Sequence, residues 1–290
     1  MKINTYISRN KHLLAGTIIA GLILSGCLDD NQKPISDNFV VEAFLFAGEP
    51  VRNVKIKEIM PLVPEEEDTT ERIITDATVI LSEQDQQYFL MFDPSTGNYI
   101  YPGIDIHVST GDLFRLEIRV GDRIATSETI VPEKPTGVEL SENIMVIPHL
   151  TLSLGLRDQI ISLFFNERIT LKWDNPLEES YFVVIERRET TLDPILPEQV
   201  PEEAKTLLSS FRFISEPSQD SSFEIIGIAL ETYGRHVAKV YRVNKEYEDL
   251  FNNLEQDSRD LNEPPSNIVN AIGIFTAFAL DSVFFEINRE

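Results

Sequence analysis

The chain has 290 residues, 42% of them hydrophobic, and sets 48 acidic side chains against 25 basic ones for a formal net charge of −23. Such a surface repels phosphate backbones, which excludes nucleic acid as a partner, and it disfavours docking on anionic headgroups. Seventeen Phe and eight Tyr supply enough apolar mass to fill real cores, and the single Cys makes an internal disulfide impossible.

Residues 1–26 read as a lipoprotein signal peptide. Lys2, Arg9 and Lys11 precede the uncharged run Leu13–Leu24, and Ser25-Gly26-Cys27 follows with small residues and a thiol. The run is twelve residues long, and a spanning helix needs about 20. Leu24-Ser25-Gly26-Cys27 matches the bacterial lipobox. The thiolate of Cys27 is the nucleophile that takes a diacylglyceryl group. Cleavage before Cys27 makes it the new N-terminus, and with each buried methylene contributing about 0.8 kcal/mol, two or three acyl chains hold a membrane firmly. Loss of the leader removes three basic residues and no acids, so the mature charge becomes more negative. Residues 27–38, polar and Pro-containing, read as a lipidated tether.

From Phe39 to Pro135 the signals are those of an N-terminal β-sandwich. Strands are predicted at Phe39–Phe46, Val51–Ile59, Ala77–Ser82, Gln87–Asp93 and Asn98–Tyr101, with turn chemistry between them. In Leu113–Val120, Phe114, Leu116, Ile118 and Val120 share one face, and the intervening charged residues share the other. Gly121-Asp122 predicts a tight hairpin into Arg123–Val131. Residues 136–166 read as an inter-domain segment. Residues 167–290 read as a second β-sandwich. Its predicted strands begin with one that turns Ile169, Leu171 and Trp173 inward and continue with Tyr181–Ile185, Phe223–Leu230, His236–Val243, Ile272–Leu280 and Ser282–Ile287. A short helix is suggested at Glu202–Ser210. A second, near 245–257, is capped by Asn244 and presents Tyr247, Leu250, Phe251 and Leu254 on one face. The predicted fold class is all-β with one or two short helices.

The residues point to no catalytic chemistry. There is no Gly-x-Ser-x-Gly elbow, P-loop or Gly-x-Gly-x-x-Gly. Among 48 acids nothing singles out the carboxylate pair that glycoside hydrolysis needs. His12, His107, His149 and His236 have no His partner two or four residues away, so a zinc site built on local spacing is absent. Asp105-Ile106-His107 places two potential ligands on one strand face, against the plainer reading of an exposed, partly paired strand edge. Glu65-Glu66-Glu67-Asp68, and Asp257, Asp260 and Asn262, lack the spacing of a calcium loop and read as solvated acids. Trp173, the only Trp, reads as core rather than a ligand platform. No cofactor and no metal are expected.

The stretch Pro264-Pro265-Ser266-Asn267-Ile268-Val269-Asn270-Ala271-Ile272-Gly273-Ile274-Phe275 resembles the closing motif of a Bacteroidota lipoprotein family, domain of unknown function 4249. That motif usually reads Pro-x-x-Asn-Ile-x-Asn-Gly-x-Gly-x-Phe; here Ala271 replaces its first Gly, which questions a positive φ there. Phe39-Val40-Val41-Glu42-Ala43 is similar to the family's first strand. Ala77-Thr78-Val79 and the Gly97-Asn98-Tyr99 turn are similar to parts of its first sandwich, and the helix around Tyr247 to its Tyr-rich helix. The resemblance implies a transthyretin-like or carboxypeptidase-regulatory-like sandwich followed by a fibronectin type III-like one. It also implies genes encoded beside outer-membrane TonB-dependent transporters, and it carries over no catalytic residues. Asp29 and Asp30, just after the lipidated Cys, are consistent with display on the cell surface. The expected role is a non-catalytic binding accessory of a TonB-dependent transporter, anchored to the outer membrane through lipid on Cys27. The alternatives are an anchored hydrolase acting on glycan or peptide, and a structural envelope protein or adhesin.

Overall fold

A computed structural model describes residues 39–59, 71–148, 150, 158, 161, 166–190, 193–196, 214–227, 230–254 and 265–290. The first half carries β1 (Phe39–Phe46), β2 (Asn53–Glu58), β3 (Thr78–Glu83), β4 (Gln86–Asp93), β5 (Asn98–Ile100), β6 (Leu113–Val120) and β7 (Arg123–Ile130). Next come β8 (Glu139–Leu140), β9 (Ile144–Ile147), β10 (Arg168–Lys172), β11 (Tyr181–Arg187), β12 (Ser222–Ile226) and β13 (Gly234–Val243). Helix α1 (Lys245–Leu254) and β14 (Ile272–Arg289) close the chain. Eleven strands form one mixed sheet, ordered β11-β13-β14-β1-β2-β5-β4-β3-β6-β7 with β9 attached to β14, and β12-β10-β8 form a small second sheet.

A period of two drives most of these strands. Phe39, Val41, Ala43 and Leu45 of β1 and Phe114, Leu116 and Ile118 of β6 are buried in a first core, while the residues between them reach the surface or its margin. The predicted Gly121-Asp122 hairpin forms: Val120 pairs with Arg123, and Gly121 takes φ +58°. A side chain is disfavoured in that left-handed conformation. The matching turn between β3 and β4 places Gln84 at φ +49°, where a glycine would be unstrained.

The closing strand differs from expectation. Two strands broken near Asp281 were predicted; β14 is one strand of 18 residues. Asp281 and Ser282 stay in the ladder because their backbones pair with Val240 and Lys239 of β13, and a backbone ladder does not depend on side-chain polarity. β14 pairs in parallel with β1 over Ile272–Phe278, antiparallel with β13 over Phe278–Ile287, and in parallel with β9 over Glu286–Arg289. Its early residues Phe275 and Ala277 therefore belong to the first core. Phe285 and Ile287 belong to a second core with Ile169, Leu171, Trp173 and Val183. Phe278 lies between, in an aromatic cluster with Phe46, Phe182 and the α1 residue Tyr247 at ring distances of 5.1, 5.8 and 5.0 Å. The stretch 136–166, read as an inter-domain segment, contributes β8 to the small sheet and β9 to the large one.

The closing motif is a clasp. Asn267 Nδ2 donates to the Phe275 carbonyl (2.7 Å) and Oδ1 accepts from the Phe275 N–H (2.9 Å). Ser266 Oγ accepts from the N–H groups of Ile268 and Gly273. On the other side Val269 bridges Thr126, Ser127 Oγ donates to the Asn267 carbonyl, and Asn270 Nδ2 donates to the Ile124 carbonyl, so the clasp covers the outer edge of β7. Ala271 does not occupy the left-handed region; that conformation falls on Asn270 (φ +65°) and Gly273 (φ +128°). A Cβ on Gly273 would overlap the Val41 carbonyl oxygen. Asn244 stands where the helix cap was expected, with its carbonyl accepting from the N–H groups of Tyr247 and Glu248. Its side-chain amide instead donates to Thr129 Oγ1 and the Ile130 carbonyl, tying α1 to β7.

Candidate functional site

The segment joining β5 to β6 carries the sequence-selected pair Asp105 and His107. It alternates as predicted: Ile106 and Val108 are buried, while Asp105 and His107 are exposed. It is not a strand, however, because it runs against the β1–β2 turn with too few regular bonds to form a ladder. The bonds that hold it are Gly48 N–H to the Val108 carbonyl and Tyr101 N–H to the Val51 carbonyl. Tyr101 braces the loop. Its hydroxyl donates to Asp105 Oδ1 at 2.7 Å, and its ring lies so close over Gly103 that a Cβ there would meet it at 2.6 Å. The hydrogen bond to Asp105 raises the Tyr101 pKa. The ring also meets Tyr88 edge-on at 5.3 Å. At the tip of this braced loop Ile104 is 94% exposed.

Between the loop and the turn at Gly48–Arg52 lies a cleft of ≈ 530 Å³, with Pro50, Tyr101 and Ile106 among its walls and Glu49, Arg52 and His107 among its polar groups. Small-molecule sites generally occupy about 300–1,000 Å³ and combine apolar walls with a few polar groups. Asp105 and His107 do not converge on a point. The carboxylate is held by Tyr101, and His107 Nδ1 lies 3.3 Å from the Asp105 carbonyl. Among the described residues no group of three or more His, Cys, Asp or Glu is placed to hold a metal. Sequence reasoning overlooked Arg52, Tyr101 and Ile104; the available signal was an isolated aliphatic residue directly after the Pro102-Gly103 turn.

A second cleft of ≈ 520 Å³ is lined by Glu186, Arg187, Ile214, Glu231, Thr232 and His236, among others. His236 is 4% exposed, stacks on Phe285 at 5.5 Å, and sets Nδ1 3.0 Å from the Gly234 carbonyl. Burial pushes its pKa down, and the positive charge of Arg187 adds to that. The neutral ring donates from Nδ1–H, leaving Nε2 as the acceptor. Trp173 is buried in the second core against Tyr181, as predicted, with no partner for its Nε1 among the described residues.

The lipobox residues Leu24, Ser25, Gly26 and Cys27 lie outside the described residues, as do His12, His149, Glu65–Asp68, Asp257, Asp260, Asn262 and the suggested helix Glu202–Ser210. Among the described residues no helix is long and apolar enough to cross a membrane.

No curated protein matches the chain. Among solved structures, one described as giving structural insight into host cell surface retention of a 1.5-MDa bacterial ice-binding adhesin is similar over 87% of this chain at 7% identity. The match spans 65% of that structure's length, and its TM-score of 0.21 is too low to carry an argument about fold. The family model described as Domain of unknown function (DUF4249) matches residues 29–282, and the chain belongs to that family.

Proposed function

We propose that this protein is a lipid-anchored outer-membrane lipoprotein, displayed at the cell surface, that serves as a non-catalytic binding accessory of a TonB-dependent transporter. The leader and the lipobox at Cys27 support the anchor. The observation that carries the binding role is the braced loop over the ≈ 530 Å³ cleft, with Ile104 presented at 94% exposure. An apolar side chain held in water on a braced loop is poised to fill a partner's pocket, because the loop that carries it has less conformational entropy to lose on docking. The strong negative charge keeps the rest of the surface soluble.

In this reading the chain comprises two sandwich modules. The first core is the transthyretin-like or carboxypeptidase-regulatory-like one. The second core, where β12-β10-β8 faces β11-β13-β14-β9, is fibronectin type III-like.

The test is affinity capture of the full chain from gently solubilised outer membrane, comparing wild type with Ile104→Asp. A transporter that travels with wild type and not with the variant is the expected result. If no transporter is recovered with wild type, the proposed role fails.

A further inference from the structure

The large sheet has three outer edges, and two are protected. The β7 edge is covered by the clasp through Val269 and Asn270 and by Asn244 at the start of α1. The β11 edge is bridged by Ser218 and Ile214. β9 pairs with β14 on one side only, and among the described residues nothing pairs with its other side.

The direction of its free groups follows from two bonds. Glu286 N–H donates to the Asn143 carbonyl (2.9 Å) and Glu290 N–H to the Ile147 carbonyl (3.2 Å). A residue in a strand points its N–H and C=O to the same side, and successive residues alternate. Asn143, Met145 and Ile147 thus address β14, while Ile144 and Val146 aim both backbone groups at the open edge.

The side chains fit the same surface. Met145 and Ile147 are buried in the second core, whereas Ile144 and Val146 are 49% and 45% exposed. Phe284 of β14, 53% exposed, lies on the same outer face, with the Arg235 guanidinium 6.0 Å from its ring centre. Edges are usually guarded by charge, Pro or a bulge. Residues 144–147 contain none of these, and Pro148 follows only after the strand has ended.

We infer that β9 pairs antiparallel with β9 of a second copy of this chain, about a twofold axis through Met145. Opposed residues in an antiparallel pair share a face, so Ile144 must meet Val146 of the second copy, and Val146 its Ile144. Those are the residues whose backbone groups face outward, so four inter-chain hydrogen bonds form and no group at the open edge is left over. The pairing brings together the exposed Ile144 and Val146 side chains of the two copies, while on each β14 the exposed Glu286, partner of Ile144, separates them from Phe284. For a chain of net charge −23, an uncharged edge is also where two copies approach without opposing like charges.

Sedimentation equilibrium of the full chain in density-matched detergent tests this. Wild type is expected to be a dimer. Val146→Pro is expected to be a monomer whose thermal unfolding matches that of wild type diluted until its dimer has dissociated, because the N–H it removes does not serve the β14 ladder. Ile144→Lys, which places a charge at the same junction, is expected to weaken the dimer about tenfold or more, and it decides the matter if the Pro variant misfolds. A monomeric wild type at every concentration reached overturns the inference. So does a dimer indifferent to both substitutions, or an edge that captures the strand of another protein instead.

Discussion

Asn267 imitates a strand: through one side chain it offers the Phe275 backbone both a donor and an acceptor, at 2.7 and 2.9 Å. The register of the start of β14 is thereby set by a residue eight positions before Phe275, which enters the first core. Replacement by Ala leaves two half-buried backbone groups without partners, so Asn267→Ala is expected to lower unfolding stability by about 2–4 kcal/mol. Asn267→Asp keeps the acceptor, loses the donor and adds charge beside a carbonyl; urea denaturation should place it below wild type as well.

Gly273 and Ala271 make a contrasting pair. Gly273→Ala must push a Cβ into the Val41 carbonyl at φ +128°, breaking the parallel β1–β14 ladder at its start. A loss of about 3 kcal/mol or more, or failure to fold, is expected. Ala271→Gly, which restores the residue usual in the family motif, should change stability by no more than about 1 kcal/mol, since Ala271 is not left-handed. Thermal melts of the two variants side by side check the ranking.

Gln84 sits at φ +49° in the two-residue link between β3 and β4. Gln84→Gly relieves that strain at some cost in unfolded-chain entropy, and a net gain of about 0.5 kcal/mol is expected. A lowered urea midpoint would show that the turn is not strained.

Burial holds the His236 pKa below its ordinary 6.5. The folded state therefore binds fewer protons than the unfolded state once pH drops below that value. The stability contributed by neutral His236 is complete above about pH 7 and falls as pH drops towards the folded pKa, with a slope of at most about 1.4 kcal/mol per pH unit. Unfolding stability measured from pH 7.5 to 5 should decline for wild type and decline less steeply for His236→Phe. Equal slopes would show that His236 takes up its proton as readily in the folded state as in the unfolded one.

Tyr101→Phe removes the hydroxyl that holds Asp105 and leaves the ring over Gly103. The loop should then exchange its amides faster, with stability altered by about 1 kcal/mol or less. Unchanged hydrogen exchange at residues 102–107 would mean that ring packing alone fixes the loop.

Much of the strand layout was readable because a period of two records which side of a strand meets the core. Leu113–Val120 appears where alternation places it, Phe39–Phe46 where its dense apolar run places it, and Gly121 turns where a left-handed residue was needed. The Asp105–His107 alternation was also readable, but not the absence of a ladder there, because hydrogen-bond partners come from distant chain segments. The break expected near Asp281 failed for the same reason: β13 supplies the partners that keep the strand going.

The sequence by itself determined the strongly acidic surface, the β character and the family, since each depends on residue types and their local order. Only the tertiary structure decided that a single strand serves both cores, that the closing motif clasps β7, and that Ile104 stands in solvent over a cleft. Those features are set by contacts between residues far apart in the chain, and local pattern carries no record of which distant surfaces will meet.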